Sequence, residues 1–339
     1  MFSVVPYYKD AKKAGIKPLI GCEIYVAPGS RFEKKTPAES GWGNNHLILL
    51  AQNYTGYKNL MKLVTAGYLE GFYYRPRVDV ELLRQYSEGL ICMSACLKGE
   101  IPEKMLRGNY EGAKEAALRF AEIFPDRFYL EIQNHGIPEE EANIKNMKKL
   151  AADLDLPLVC TNDAHYAKQS HWEAHDIHIC LGTGKERSDT NRLRYATPEF
   201  YFKTQDEMHT LFKEFPKAIE NTRRIADSID VELRMGEYHL PNFPIPEDSP
   251  TQDSDEYLKM LTQAGAELLY GEITPDIQKR IDHELLVIRN MGFAGYFLIT
   301  ADFVKYSKDM KIPVGPGRGS AAGSIVSFAL GITSIDPLK

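Results

Sequence analysis

The spacing of apolar residues changes along the chain, and the changes predict two kinds of structure. Between residues 17 and 160, short apolar runs alternate with segments in which apolar residues recur every three or four positions. The runs predict strands at 17–26, 46–51, 127–132 and 156–160. The recurring segments predict helices at 57–69, 112–123 and 139–154. Repeated strand–helix units predict an α/β domain with a mostly parallel sheet, or a barrel surrounded by helices.

A proline-rich stretch divides the chain into two parts. Residues 238–250 contain four prolines and predict an extended linker, because proline lacks the N–H group that a helix or a central strand requires. Beyond it the apolar spacing predicts further helices, the first at 255–270 with Ser254 as its N-cap. We therefore predict a first domain at residues 1–237 and a second, mostly helical domain at residues 251–339.

The end of the second domain is rich in glycine. Ile312 and Val314 predict a short strand, which a glycine-rich loop connects to a helix at 320–330. Gly331 is expected to end this helix, because glycine readily adopts the left-handed conformation of a helix C-terminus. The unpaired N–H groups at the start of such a helix favour a phosphate. Arg318 adds a charge with forked donors.

Three interpretations of the glycine-rich loop are open. The segment has no Gly-Lys-Ser/Thr sequence, which excludes a Walker A loop. Gly317-x-Gly319-x-x-Ala322 fits the dinucleotide-binding fingerprint, although the strand before it is short and contains Pro313. The other two interpretations are a tight turn without a ligand and a site for a nucleoside triphosphate.

The composition predicts a globular protein without a membrane span. Hydrophobic residues make up 43% and charged residues 26% of the 339 positions. No apolar run approaches the roughly 20 residues that cross a bilayer, and no signal peptide pattern opens the chain. Five cysteines, an odd number, favour a reducing, cytoplasmic location without a disulfide framework. The net charge of −6 argues against indiscriminate nucleic-acid binding but allows a local basic groove.

Candidate metal ligands follow several of the apolar runs. Four such residues stand at the ends of runs: Glu23, Cys96, Asp163 and His165. Barrel enzymes build their sites at the carboxyl ends of strands, and carboxylate, thiolate and imidazole donors together suit zinc or manganese. His46 opens its strand, so spacing alone does not select it. Structural alternatives are an exposed carboxylate for Glu23 and a small buried side chain for Cys96.

Another group of histidines lies further along the chain. His171, His175 and His178 fall on one face of a helix predicted from Ser170. They could form a metal site, but no glutamate accompanies them as in the H-E-x-x-H pattern, so we favour a partly exposed helix. The polar and basic segment at 182–194 could contact a DNA backbone, but a solvated loop is the favoured interpretation.

The glycine-rich end carries a resemblance to a known family. Residues 313–324 are Pro-Val-Gly-Pro-Gly-Arg-Gly-Ser-Ala-Ala-Gly-Ser, and residues 329–338 are Ala-Leu-Gly-Ile-Thr-Ser-Ile-Asp-Pro-Leu. Both segments resemble the palm signature of the bacterial DNA polymerase III alpha subunits, the C-family replicative polymerases. The resemblance implies a polymerase beta-like nucleotidyltransferase palm that uses Mg²⁺. It implies that Gly319 and Ser320 hold the triphosphate of the incoming nucleotide, with Arg318 nearby.

The same resemblance implies the partners of a replicase. These are primer–template DNA, deoxynucleoside triphosphates, a sliding clamp and a proofreading exonuclease subunit. The activity implied is template-directed DNA synthesis in the cytoplasm.

The first domain carries a second resemblance. Its short motifs are Gly21-Cys-Glu23, Asn45-His46-Leu47, Ser94-Ala-Cys96 and Thr161-Asn-Asp163-Ala-His165. They resemble those of the PHP domain, the polymerase and histidinol phosphatase module that precedes the palm in the same family. This resemblance implies a distorted βα barrel with a Zn²⁺ or Mn²⁺ site whose ligands include Glu23, His46, Cys96, Asp163 and His165. Such modules hydrolyse phosphodiesters in some members, as 3′→5′ exonucleases, and are only structural in others.

Both ends of the chain differ from the pattern of that family. Residues 1–15 predict a helix that is internal in the family and is preceded there by further ligands, and the palm aspartates follow beyond Lys339. We therefore expect a fragment whose barrel is incomplete at its amino end and which does not polymerise alone. Two alternatives stay open. One is a free-standing PHP phosphoesterase acting on small phosphates, and the other is a non-catalytic platform that docks a proofreading subunit.

Overall fold

The computed structural model describes residues 1–34, 44–236 and 240–339, and these form two compact units. The first, the sheet unit, comprises Met1–Leu233, and the second, the helical unit, comprises Arg234–Lys339. The predicted linker at 238–250 begins outside the described residues, and residues 240–250 contain no helix or strand. Each unit has its own apolar core.

The sheet unit alternates strands and helices, as predicted. Strands β1 to β6 span Gly21–Val26, Asn45–Ala51, Arg77–Val78, Leu90–Met93, Phe128–Ile132 and Leu158–Cys160. Helices α1 to α9 span Val4–Lys13, Tyr54–Leu69, Val80–Gln85, Glu100–Leu106, Tyr110–Ile123, Pro138–Leu154, Trp172–Thr183, Gln205–Leu211 and Pro216–Ser228. Across the three described ranges, no helix has both the length and the apolar character that a membrane crossing needs.

The six strands found in the described residues form one sheet in the order β3-β1-β2-β4-β5-β6. Strands β4, β5 and β6 run parallel, and so do β1 and β3, whereas β2 is antiparallel to both β1 and β4. The sheet is therefore mixed. Because β2 runs against its neighbours, its first residues lie at the edge where β1 and β4 end. This reversal, which the apolar pattern does not contain, carries His46 to the carboxyl edge of the sheet.

The core of the sheet unit explains why these strands form. In β2, Leu47, Leu49 and Ala51 are buried, while the side chains between them are half-buried. All residues of β4 and β5 are buried, as expected for parallel strands that are covered on both faces. Helix α5 contributes a stripe of alanines and Phe120 to the same core. The buried sheet fixes the positions of the loops at its carboxyl edge.

The helical unit is formed by helices that pack around one apolar core. Its elements are α10 (Ser254–Tyr270), α11 (Pro275–Met291), α12 (Ala294–Asp309), a 3₁₀ turn (Gly319–Gly323) and the short α13 (Ile325–Ala329). Its core takes at least one apolar side chain from each of these α-helices, among them Leu258, Ile281, Leu298 and Val326. Gly265 of α10 lies so close to α13 that a Cβ atom there would overlap the carbonyl oxygen of Ala329. A glycine at this point therefore allows the two helices to pack in contact.

Two predictions for the glycine-rich end are wrong. Ile312 and Val314 lie in a segment without regular structure, so the predicted strand is not formed. The predicted helix at 320–330 is interrupted at Ser324, whose backbone is extended with φ −97° and ψ 123°. The hydroxyl of Ser324 accepts a hydrogen bond from the N–H of Ser327, so this serine caps α13 instead of continuing a helix.

The helix ends show one further error and one success. Asp253, not the predicted Ser254, is the N-cap of α10, because its carboxylate accepts from the N–H groups of Asp255 and Glu256. Gly331 follows α13 with a φ of 71°, the left-handed conformation predicted for a C-terminal glycine.

Candidate functional site

Three of the five predicted ligands are brought together by the antiparallel strand β2. Glu23 lies in β1, His46 near the start of β2, and Cys96 in the loop after β4. Nδ1 of His46 is 2.9 Å from Oε1 of Glu23 and 3.6 Å from Sγ of Cys96. Residues that are distant in sequence thus form one group, which we call the His46 cluster.

The acidic neighbours of His46 favour its cationic form. Burial by itself lowers the pKa of His46, but the hydrogen bonds to Cys96 and Glu23 and their negative charges outweigh this effect and raise the pKa to about 9. At neutral pH the ring is therefore an imidazolium whose Nδ1–H faces the carboxylate. Because metal ions bind neutral imidazole, an ion at this position would displace that proton.

The other two predicted ligands lie in the loop after β6, and we call them the Asp163 pair. Nε2 of His165 is 3.4 Å from Oδ1 of Asp163. Burial by itself raises the pKa of Asp163, but His165 and the positive charges of His135 and His46 outweigh it and lower the pKa. The backbone of Asp163 is left-handed with a φ of 40°, a conformation that costs energy for a residue with a side chain and persists only where its surroundings hold it.

Tyr195, which no sequence motif indicated, is influenced by both groups. Its hydroxyl oxygen is 3.1 Å from Nε2 of His165. Burial raises the pKa of Tyr195 to about 12, and the negative charges of Asp163, Cys96 and Glu23 add to that effect. The His46 cluster and the Asp163 pair therefore lie within electrostatic reach of one phenol, which stays protonated as a hydrogen-bond donor.

The chemistry of these donors suits a metal ion better than their arrangement does. Carboxylate, imidazole and thiolate groups together are ligands of zinc and manganese. Within the described parts of the chain, however, no three His, Cys, Asp or Glu residues are placed so as to hold an ion. The side chains instead satisfy one another as ion pairs and hydrogen bonds.

A buried carboxylate, Glu131, connects the loops that carry these residues. It accepts hydrogen bonds from the backbone N–H of Ala95, the side chain of Gln133 and the hydroxyl of Thr161. Burial raises the pKa of Glu131 to about 7 in spite of these donors. Glu131, Gln133 and His135 alternate along and beyond the end of β5. This alternation is a sequence signal for the network, although it lies outside the predicted ligand set.

The histidines of α7 and the turn before it do not come together. His171 and His178 are exposed, whereas His175 is half-buried. The ring centroid of His175 is 5.0 Å from that of Tyr166 and 5.2 Å from that of Tyr195. Burial lowers the pKa of His175, and the positive charges of His165 and His178 lower it further. These contacts favour a packing role for His175 at the side of the candidate site.

The segment at 182–194 is largely exposed, but part of its positive charge is neutralised within the protein. The guanidinium of Arg192 donates to both carboxylate oxygens of Asp176, at 2.6 and 2.9 Å. Nε of Arg187 lies 3.6 Å from the same carboxylate. These ion pairs favour the solvated loop over a contact with the DNA backbone.

The amino end of α13 is filled by a carboxylate. Glu284 of α11 accepts from the N–H groups of Ile325 and Val326, both at 3.2 Å, and from the hydroxyl of Ser324 at 2.8 Å. The positive end of α13 is therefore neutralised within the helical unit. The free N–H groups for a phosphate were predicted further upstream, at Ser320, where the 3₁₀ turn lies, so the contacts of Glu284 leave that expectation a prediction.

The predicted nucleotide-binding residues lie just before α13. Arg318, Gly319 and Ser320 are exposed at the start of the 3₁₀ turn. Gly317 and Gly319 have φ values of 127° and 56°, which residues with side chains rarely adopt, so the backbone path here depends on glycine. The segment thus presents its backbone and one guanidinium group to solvent.

Comparisons with known proteins match both units. The model of the PHP domain matches residues 1–135, and the model of the bacterial DNA polymerase III alpha NTPase domain matches residues 256–339. The chain is 49% identical to the DNA polymerase III subunit alpha of Borreliella burgdorferi and 45% identical to that of Treponema pallidum. It is 36% identical to the subunit of the same name from Thermus aquaticus.

Each of these alignments includes the whole of this chain. The chain spans 29% of the length of the Borreliella and Treponema proteins and 32% of the Thermus protein. The similarity therefore concerns about three-tenths of each relative.

Proposed function

Because the chain belongs to the family of bacterial DNA polymerase III alpha subunits, we propose that it takes part in template-directed DNA synthesis during chromosomal replication. In that reaction a primer 3′-hydroxyl would attack the α-phosphate of a deoxynucleoside triphosphate and release pyrophosphate, and bound Mg²⁺ would supply stabilisation of the attacking and leaving oxygens. The observation that carries the proposal is the alignment of the whole chain with relatives of that name.

Family membership also supports different roles for the two units. The sheet unit, within residues 1–237, would be a PHP module of the distorted barrel type, and residues 251–339 would belong to a polymerase palm. The partners that family membership suggests are primer–template DNA, deoxynucleoside triphosphates, a sliding clamp and a proofreading exonuclease subunit. The location that it suggests is the cytoplasm.

Within the helical unit, Arg318, Gly319 and Ser320 are the proposed contacts of the nucleotide triphosphate. All three residues are exposed. The positive φ of Gly319 allows close approach of a ligand to the backbone. Arg318 offers forked donors that match phosphate oxygens. Glu284 neutralises the amino end of α13, so the segment before that helix is the better candidate for an anion-binding site.

Binding of a deoxynucleoside triphosphate with Mg²⁺ to the chain tests this assignment. We expect Arg318→Ala to weaken binding about tenfold, because it removes a charge-assisted contact, and Ser320→Ala to weaken it about threefold through loss of one neutral hydrogen bond. Arg289→Ala is the control, since Arg289 is an exposed arginine elsewhere in the same unit. Equal affinities for the wild type and all three variants, or no binding by the wild type, would contradict the assignment.

The candidate site of the sheet unit favours a second activity, metal-dependent hydrolysis of phosphodiesters such as a DNA 3′ end. The proposed ligands of Zn²⁺ or Mn²⁺ are Glu23, His46, Cys96, Asp163 and His165. Their chemistry supports this assignment, and so does the electrostatic reach of both groups to Tyr195. When bound, such ions activate water and neutralise phosphate.

Elemental analysis after dialysis against Zn²⁺ or Mn²⁺ separates this activity from a purely structural module. We expect the wild type to retain the metal, and His46→Ala and Asp163→Asn to lose it, because each removes a donor. His209→Ala, an exposed histidine on α8, is the control. If the wild type retains no metal, the module is better understood as a platform that docks a proofreading subunit.

A further inference from the structure

His135 is a buried histidine that lies outside the predicted ligand set. It follows β5 and is 1% exposed. Its Nδ1 is 2.7 Å from Oε1 of Glu140, and its Nε2 is 2.8 Å from the carbonyl oxygen of Asn162. One face of the ring stacks on Phe200, with centroids 4.0 Å apart and planes inclined by 6°. A ring held at both nitrogens and on one face has a single orientation.

The hydrogen-bond partners define what this ring does. A carbonyl oxygen only accepts, so Nε2 carries a hydrogen and donates it to Asn162. Glu140 is bound by the backbone of His135 as well, because its Oε2 accepts from the His135 N–H at 2.5 Å. Both ring nitrogens are thus occupied within the protein, and neither is available to a metal ion. The Nε2–H bond therefore runs from the ring to the loop after β6.

That loop carries the Asp163 pair. Asn162, which His135 binds, immediately precedes Asp163, whose backbone is left-handed. The same loop is also bound to the segment at 200–201. The side chain of Asn162 donates to the carbonyl oxygen of Tyr201 at 2.8 Å, and the N–H of His165 donates to the carbonyl oxygen of Phe200 at 2.8 Å. The unfavourable conformation of Asp163 is therefore held between His135 and the segment at 200–201.

We propose that His135 is a positioning residue for the candidate metal site. Its Nε2–H bond to the Asn162 carbonyl holds the loop in the conformation that directs Asp163 and His165 toward the His46 cluster. The inference rests on the metal-dependent function proposed above for that site. It assigns His135 to the support of two ligands and not to ligation itself.

Two substitutions separate the two hydrogen bonds of the ring. The amide of Gln reaches the position of Nε2, so His135→Gln can still donate to Asn162. The shorter amide of Asn reaches only the position of Nδ1, so His135→Asn can keep the bond to Glu140 and loses the bond to the loop. Glu140→Gln is the converse change, because a neutral His135 ring can keep its hydrogen on Nε2 and accept from Gln at Nδ1.

The measurements are amide hydrogen exchange of residues 162–165 and the affinity of the chain for Mn²⁺ alone. We expect His135→Asn to accelerate exchange in this loop about tenfold and to weaken Mn²⁺ binding about tenfold, as removal of a partner behind metal ligands commonly does. His135→Gln and Glu140→Gln should both stay within about threefold of the wild type. His209→Asn, on the exposed face of α8, controls for the loss of an imidazole.

The pattern across the variants decides the matter. Wild-type exchange in His135→Asn would overturn the inference, and so would equal defects in His135→Gln and His135→Asn, because a residue that only fills the core shows no such rescue. If His135→Asn does not fold, a large defect in the loop of Glu140→Gln would still overturn it, and wild-type behaviour of both Gln variants would support it. Absence of Mn²⁺ binding by the wild type would remove the proposed function, whereas the exchange result tests the support of the loop independently.

Discussion

The two units present polar chemistry in opposite ways. In the sheet unit, the loops that carry Cys96 and Asp163 are hydrogen-bonded to Glu131 and His135, which together with Glu140 are each at most 4% exposed. In the helical unit, Arg318, Gly319 and Ser320 lie in a glycine-rich segment whose neighbour, α13, is held by close backbone packing and by one carboxylate. From this difference we expect the stability of the sheet unit to depend on the protonation of buried side chains, and the stability of the helical unit to depend on steric fit between its helices.

The largest expected effect tests the role of protonation in the sheet unit. Because the pKa of Glu131 is raised from 4.5 to about 7, the folded protein holds this proton more tightly than the unfolded chain. Its contribution to stability is fully present below about pH 4.5 and is lost as the pH rises through about 7, a change of about 3 kcal/mol. We expect Glu131→Gln to abolish this part of the pH dependence.

Urea unfolding at pH 5 and at pH 8 measures the effect. The difference between wild type and Glu131→Gln should change between the two pH values, while exposed Glu115→Gln should track the wild type at both. Parallel pH profiles for wild type and Glu131→Gln would show that the buried carboxylate does not couple folding to protonation.

The next effect tests steric fit in the helical unit. A Cβ atom at Gly265 would overlap the carbonyl oxygen of Ala329, so Gly265→Ala should push α13 away from α10 and cost about 2 kcal/mol. Gly323→Ala is the matched control, because no atom lies within 4 Å of its added Cβ and its φ is not positive. Hydrogen exchange in α10 and α13 reports the change. Unaltered exchange in Gly265→Ala would mean that these helices separate without cost.

A smaller effect concerns the one carboxylate on which α13 depends. Glu284→Ala leaves the N–H groups of Ile325 and Val326 and the hydroxyl of Ser324 without their acceptor, at a cost of about 1.5 kcal/mol. The same substitution exposes the amino end of α13, so anion binding at this end should strengthen. Asp282→Ala, on the same helix, removes a contact with Gln278 and is the control. Equal exchange of the α13 amides in both variants would contradict this role.

Much of the sheet unit was predictable because its apolar periods are long. Helix α6, predicted at 139–154, spans Pro138–Leu154, and β5, predicted at 127–132, spans Phe128–Ile132. The two-residue strand β3 is too short to show a period. The apolar pattern also does not indicate the direction of β2, since an antiparallel and a parallel strand can share the same pattern.

The candidate site was less predictable, for related reasons. His46 meets Glu23 only because β2 reverses, and this pairing joins residues from separate strands. The support by His135 depends on a carbonyl oxygen, that of Asn162, and backbone groups leave no mark in the residue types. In the helical unit, the apolar spacing at 320–330 continues through a break at a single residue, Ser324. It therefore predicts one helix where the chain forms a 3₁₀ turn followed by the short helix α13.

The smallest expected effect concerns helix capping, a feature in which the two units should not differ. Helix capping is local, so it should act equally in both. Asn53 caps α2 by accepting from the N–H of Gly56, and Asp253 caps α10 by accepting from two N–H groups. Asn53→Ala and Asp253→Ala should each cost about 1 kcal/mol, measured by exchange in the first turn of the helix concerned. If the cost were large only for Asn53, burial and not local geometry would govern even the helix ends, and the contrast between the units would extend to every element.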